Sequence, residues 1–273
     1  MKIYLNSIVV AVVTFVYASS MWLGESAEIV STSYQRPFVY RQLVPFLVRF
    51  LDNFLPVDYT IILIVTLTGV GLYLALQSLA KFLGIENELG VLIVVLAGLA
   101  LFSSYRKPYD LMTGLLWTLA ILFIMQGEYK KFTALFVLVC FNRIDTASIL
   151  LLVWAIFNFW RWEWVCANIT IYILTFLGLR LLFMDNAGAE MWIEPIKNLQ
   201  ALFSFPMLLL HLALSGIVLW LVFRNWERKS VLMRWVFLLL TPIFLVLYVV
   251  FGQAAEIRVF WELVPVVAVL VLS

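Results

Sequence analysis

Four short segments of this apolar chain carry side chains that are able to do acid–base chemistry or to bind anions. A carboxylate near a hydroxyl can act as a general base, and an arginine can bind a phosphate through two parallel hydrogen bonds. Charged residues close to a membrane are costly, so partnered or functional charge is the first hypothesis for them. The candidates are Glu25, Glu28, Arg36, Tyr40 and Arg41 in the first segment, Asp110 in the second, Asn142, Arg143 and Asp145 in the third, and Glu256, Arg258 and Glu262 in the fourth.

Each segment also has a purely structural interpretation. The arginines of the first segment would bind lipid phosphates from a surface helix, and Asp110 would stabilise the start of a helix. The third segment would be a tight turn with an internal pair between Arg143 and Asp145. Glu262 would be paired with Arg258 four residues earlier or with an arginine of another helix, or would be held neutral.

The composition indicates which class of protein carries these residues. Of 273 residues, 65% are apolar and 12% are charged, whereas soluble domains average about 45–50% and about 25%. We therefore predict one all-α integral membrane domain over residues 1–273, a polytopic transmembrane helical bundle of about ten spans, with nine to eleven as the range. The predicted spans are 4–23, 58–80, 89–104, 111–126, 131–142, 146–160, 164–183, 205–223, 231–251 and 258–272.

Two stretches between spans have the pattern of amphipathic surface helices. In the first outer loop, residues 39–54 place Val44, Val48 and Leu51 at helical spacing, and a second such stretch covers about 190–204. Tryptophans near predicted span ends are expected to anchor the chain at the membrane interface. They are Trp22, Trp160, Trp162, Trp164, Trp192, Trp226 and Trp261.

Counting spans from a cytoplasmic Lys2 places all four segments on the outer side of the membrane. Eleven of the sixteen acidic residues fall on that side, and the basic cluster Arg224–Arg234 falls on the cytoplasmic side. The expected location is the inner (plasma) membrane of a cell, with the N-terminus in the cytoplasm. Because separate surface features have no reason to share one side, the segments are expected to build a single outer cavity. No clustered basic face suggests a nucleic-acid partner.

The four segments together resemble those of a group of uncharacterised bacterial polytopic membrane proteins, which are similar in layout to GT-C-type integral membrane glycosyltransferases. The resemblance is carried by the run from Arg36 to Leu47, Tyr109-Asp110, the turn Asn142 to Ala147 and the run Glu256 to Pro265. It implies a sugar donor linked to a polyprenyl phosphate, an active site at the outer face and an acid in the first outer loop as base.

On that resemblance, the catalytic candidates are Glu25, Glu28, Asp110 and Asp145. The substrate-binding candidates are Arg36, Tyr40, Arg41, Asn142, Arg143, Glu256, Arg258 and Glu262. Membrane lipid and a lipid-linked sugar are the expected partners. No cofactor is expected, although the outer carboxylates are also compatible with a hard divalent cation.

Two other classes of function stay open at this point. The chain would instead be a non-enzymatic membrane subunit or assembly factor that holds a protein partner at its outer face. It would otherwise be a transporter or flippase, although its predicted spans lack the mid-helix charges and the paired Gly/Pro breaks typical of that class.

Overall fold

The chain folds as a bundle of α-helices. The computed structural model describes residues 2–19, 40–101, 108–186, 195–196, 200, 207–251 and 257–273, and no β-strand occurs among them. The described helices are α1 (Lys2–Ser19), α2 (Leu43–Leu51), α3 (Val57–Phe82), α4 (Glu88–Leu101), α5 (Pro108–Gln126), α6 (Tyr129–Asn142), α7 (Ile144–Asn158), α8 (Trp162–Leu182), α9 (Met207–Phe223), α10 (Val231–Phe251) and α11 (Val264–Leu272), with 3₁₀ turns at Trp226–Arg228 and Ile257–Leu263.

The predicted all-α class is confirmed. Four of the helices, α3, α5, α8 and α10, are long and apolar enough to cross a membrane. Helix α8 shows the expected surface for such a helix, because Leu174, Leu181 and Leu182 are exposed on it. A row of exposed leucines is stable in hydrocarbon and unfavourable in water.

The surface helix predicted in the first outer loop is shorter than expected. Helix α2 begins at Leu43, and Pro45 occupies its first turn, where a backbone N–H has no partner within the helix. A helix starting several residues earlier would place Pro45 in its interior and lose a hydrogen bond. Val44 and Val48 of α2 are buried against the bundle. The second predicted surface helix, 190–204, lies almost entirely outside the described residues.

The last predicted span divides into two parts. Residues Ile257–Leu263 form 3₁₀ turns, and α11 follows with Pro265 in its first turn. Proline lacks the N–H that an α-helix through this point would need. In a 3₁₀ helix residues three apart, and not four apart, share a face.

The helices on either side of the third segment are shorter than the helix that follows them. Helices α6 and α7 have 14 and 15 residues, so each is about 21–22 Å long, whereas the 21 residues of α8 span about 31 Å. Helix α8 starts four residues after α7 ends and is about 9 Å longer than α7. We call the end of the bundle that contains the α6–α7 junction the Arg143 end.

Trp261 fixes the 3₁₀ segment against the bundle. Its side chain is buried, which corrects the prediction that it anchors the chain at the interface. The ring lies over two glycines, since a Cβ at Gly114 would stand 3.0 Å from its Cε3 atom and one at Gly98 would stand 3.8 Å from Cη2. The absence of a side chain at Gly114 makes space for the indole ring, whereas a Cβ at Gly98 would be in ordinary van der Waals contact with it.

Replacing Gly114 with alanine is expected to lower the free energy of unfolding by about 1–3 kcal/mol, because the new methyl group overpacks the Trp261 ring. Thermal unfolding of the detergent-solubilised chain measures the change. Gly178→Ala is the matched control, since a Cβ there meets no atom within 4 Å. That variant should be neutral or slightly more stable because alanine favours the helix. Equal stability of the Gly114 variant and wild type would contradict this packing.

Candidate functional site

Arg143 is the centre of a buried ion-pair cluster. It is the single residue between α6 and α7, and its extended backbone turns the chain from one helix into the next. Its Nη1 atom lies 3.0 Å from Oε1 of Glu262 and 3.8 Å from Oδ1 of Asp110, and its Nη2 atom lies 3.3 Å from Oδ2 of Asp145. Three carboxylates from α5, α7 and the 3₁₀ segment thus share one guanidinium group.

Most members of this cluster are buried, so their charged groups are stabilised mainly by their partners. Arg143, Asp110 and Glu262 are all buried. Burial disfavours the charged form of Arg143, but the attraction of Glu262, Asp145 and Asp110 outweighs it and raises the pKa of the guanidinium above its ordinary value. Arg143 therefore stays charged, and it holds the three segments that carry the carboxylates together.

Arg41 brings the first segment to the same place. Its Nη2 atom lies 3.7 Å from Oδ2 of Asp145, and its guanidinium carbon lies 4.6 Å from the centre of the Tyr109 ring. Arg41 is mostly buried, whereas the side chain of Asp145 is 51% exposed. Asp145 therefore pairs with the two arginines of the cluster and is itself accessible from outside the bundle. Arg41, Asp110, Arg143, Asp145 and Glu262 are called the Arg143 cluster below.

Asn142 fastens α6 to the start of α5. Its Nδ2 group donates to the backbone oxygen of Tyr109 at 3.0 Å and to the hydroxyl of Thr113 at 2.8 Å. The Thr113 hydroxyl donates in turn to the Tyr109 oxygen at 2.7 Å. These bonds hold Asp110, the next residue along α5, beside the α6–α7 junction.

The structure thus brings together described residues from all four predicted segments. Arg41, Asp110, Asp145 and Glu262 all pair within the cluster, and Tyr40, which precedes Arg41 in the chain, is buried. Glu262 pairs with Arg143, which was among the partners that the sequence left open. Glu25, Glu28, Arg36 and Glu256 lie outside the described residues, as does the side chain of Arg258.

Two polar residues beside the site were not among the sequence candidates. Thr113 could have been predicted from the sequence, because a threonine one turn after Asp110 lies on the same helix face and meets the end of α6. Nothing in the sequence identified Tyr172 of α8, since a tyrosine in an apolar helix is usually a packing residue. It lies near Ser148 and within electrostatic range of Asp145.

The cluster is a buried ion-pair network with one accessible carboxylate, that of Asp145. Two guanidinium groups stabilise the ionised form of the Asp145 carboxylate. Asp145 is therefore suited to positioning Arg41 and accepting a hydrogen bond, and less suited to removing a proton. Among the described residues, no group of three or more His, Cys, Asp or Glu side chains has an arrangement that could hold a metal ion.

Comparison with protein-family models, with curated proteins and with solved structures finds no match for this chain. Its function must therefore be argued from the chemistry and position of the Arg143 cluster.

Proposed function

We propose that this protein is a membrane glycosyltransferase of the GT-C type that transfers a sugar from a polyprenyl-phosphate donor at the outer face of a bacterial inner membrane. The proposed topology has about ten spans and a cytoplasmic N-terminus, with the Arg143 end facing outward. In this topology the shorter apolar helices cross together with the four long ones.

The observation that carries the proposal is the convergence of the four segments on one accessible group. Arg41, Arg143 and three carboxylates meet at one end of an apolar helical bundle, and only Asp145 among the carboxylates is substantially exposed. A bundle that needed only stability would gain little from such a cluster, because apolar packing commonly replaces a buried ion pair without loss. The cost of assembling these charges is offset if they bind and orient a substrate.

The geometry divides the proposed roles between the two arginines. Arg143 is occupied by three carboxylates and serves as the centre that positions the segments. Arg41 lies at the edge of the cluster, 3.7 Å from the accessible Asp145 carboxylate and 4.6 Å from the centre of the Tyr109 ring. The planar guanidinium group matches the oxygens of a phosphate. We assign Arg41 to the leaving phosphate of the donor.

The remaining roles follow from the resemblance of the sequence to GT-C enzymes. Glu25 or Glu28 would take the proton of the acceptor hydroxyl as it attacks the anomeric carbon, and the bond from that carbon to the phosphate oxygen would break. Arg36, Glu256 and Arg258 would contact the substrates from the outer loops. Asp110 and Glu262 are buried and would act through Arg143 by holding its position.

Replacing Arg41 with alanine is expected to reduce sugar transfer about 100-fold, because a group that stabilises charge on the leaving phosphate is lost. The measurement is transfer of radiolabelled sugar from polyprenyl-phosphate donors by membranes that contain the full chain. Arg49→Ala is the matched control, since Arg49 lies on the adjacent helix α2, where its guanidinium group donates to the side-chain oxygen of Gln42. That variant should retain activity.

Other outcomes of this experiment would overturn the proposal. Transfer that is unchanged in Arg41→Ala, Glu25→Gln and Glu28→Gln would exclude the assigned chemistry. Uptake of a lipid-linked sugar into proteoliposomes without any transferred product would indicate a transporter. Co-purification of a stoichiometric protein partner, lost only when the Arg143 cluster is changed, would indicate a membrane subunit.

A further inference from the structure

Lys229 lies between two helix ends and binds both of them. Its side chain is buried, and its ammonium group donates to the backbone oxygen of Leu221 at 3.0 Å and to that of Leu270. Leu221 lies in the last turn of α9, and Leu270 lies in the last turn of α11. Carbonyl groups in the last turn of a helix have no N–H partner within it and carry partial negative charge. One buried cation thus stabilises the ends of both helices.

The loop that carries Lys229 turns back on α9. Asn225 begins the turn in a left-handed conformation with a φ of 55°, which asparagine tolerates better than most residues. The 3₁₀ turn that starts at Trp226 follows. The Trp226 ring packs against Phe223 of α9 and Phe237 of α10, with ring centres 4.8 Å and 6.4 Å apart. These contacts fix the position from which the Lys229 side chain reaches the two carbonyl groups.

Helix α11 has no polar side chain of its own to set its position along the bundle. All its residues are apolar, and most of them are buried. It packs against α3, α4, α5, α9 and α10. Apolar packing is non-directional, so it favours burial of the helix more than one particular axial position. Directional contacts hold this part of the chain at two places, where Glu262 pairs with Arg143 before the helix and where Lys229 binds its last turn.

We propose that Lys229 is a positioning residue for the Arg143 cluster, on which it acts through α11. By holding the last turn of this helix, Lys229 keeps the attached 3₁₀ segment at the level where Glu262 meets Arg143. Leu270 follows Glu262 by eight residues, which is about 12 Å along the segment. A short helix is a rigid element that transmits a displacement at one end to the other. This role does not depend on the proposed transfer reaction.

The choice of a lysine supports this role over the simple filling of space. An ammonium group is strongly hydrated, and its burial is costly unless its donors are satisfied. A leucine or methionine would fill the same space without that cost. The preceding residue, Arg228, keeps its charge exposed. What Lys229 adds is a pair of directional bonds that tie α11 to α9.

Hydrogen–deuterium exchange of the purified full chain in detergent, resolved by mass spectrometry, tests the proposal. The diagnostic peptide contains the 3₁₀ segment Ile257–Leu263. Lys229→Met keeps the apolar stem and removes the ammonium group, so exchange in this peptide should be about tenfold faster than in wild type. Lys229→Gln keeps one amide donor and should give an increase of about threefold, and it replaces the first variant if that variant is not recovered folded. Elution and thermal unfolding profiles show which variants are folded.

Arg228→Met is the matched control, because it removes an exposed charge from the preceding residue. It should exchange as wild type does. Faster exchange that is confined to the last turns of α9 and α11, with unchanged exchange in the 3₁₀ segment, would overturn the proposal. An equal increase in Arg228→Met would overturn it as well.

A double-mutant cycle provides a second test. Sites more than about 10 Å apart that do not communicate have additive effects on stability. Lys229→Met and Glu262→Gln together should lower the melting temperature by less than the sum of their separate effects, since the first change already displaces Glu262. Additive effects would show that Lys229 acts only on the helix ends it contacts, and would overturn the proposal.

Discussion

Arg143→Ala is expected to lower the free energy of unfolding by about 3–5 kcal/mol, the usual cost of removing one partner from a buried ion pair. Glu262 is fully buried and its Oε1 atom lies 3.0 Å from Arg143, so the variant leaves a carboxylate without its cation in an apolar environment. Asp110 loses the same partner. Thermal or denaturant unfolding of the purified chain in detergent measures the change.

Two further variants separate this effect from a general loss of positive charge. Arg161→Ala removes an exposed arginine at the opposite end and should change stability by less than about 0.5 kcal/mol. Arg143→Met combined with Glu262→Gln removes both charges, and it should be more stable than Arg143→Met alone. If the double variant were the less stable of the two, the proposed pairing of Arg143 and Glu262 would be wrong.

Trp261→Ala is expected to destabilise the chain by about 3–5 kcal/mol, since it removes a buried ring and leaves a cavity that Gly98 and Gly114 have no side chains to fill. The same change frees the 3₁₀ segment that carries Glu262. If the chain has the proposed function, sugar transfer by the folded fraction should fall as well. Thermal unfolding and the transfer assay together measure both effects.

Trp160→Ala is the control for the loss of a large ring, because Trp160 is 59% exposed at the other end of the bundle. It should change stability by less than about 1 kcal/mol. A Trp261 variant as stable as this control would show that the ring does not hold the 3₁₀ segment.

The helices were largely predictable from the sequence. Apolar runs bounded by charges located α5, α6, α7 and α10 to within about three residues, because an apolar run in a membrane protein has few alternatives to a helix. The errors occur at Pro45 and Pro265, where the missing N–H decides where a helix can begin. Both prolines are visible in the sequence, but the register they impose depends on the flanking contacts.

The sequence was enough to predict which segments of the chain form the site, but not which residues pair within it. Counting spans was enough to place Asp110, Arg143 and Glu262 at one end of the bundle. It did not decide that Glu262 pairs with Arg143, since that depends on how the 3₁₀ segment 257–263 packs against the α6–α7 junction. The burial of Trp261 was also beyond the sequence, because it depends on two glycines in other helices.

In the proposed topology the short hairpin formed by α6 and α7 crosses the membrane, which has a consequence for the surrounding bilayer. Its helices are about 21–22 Å long, and a typical hydrocarbon core is about 30 Å thick. Such hydrophobic mismatch is relieved by local thinning of the bilayer. Where the hairpin meets lipid, headgroups and water would then descend toward Asp145, so a reactive group carried on a lipid would have no need to leave its leaflet.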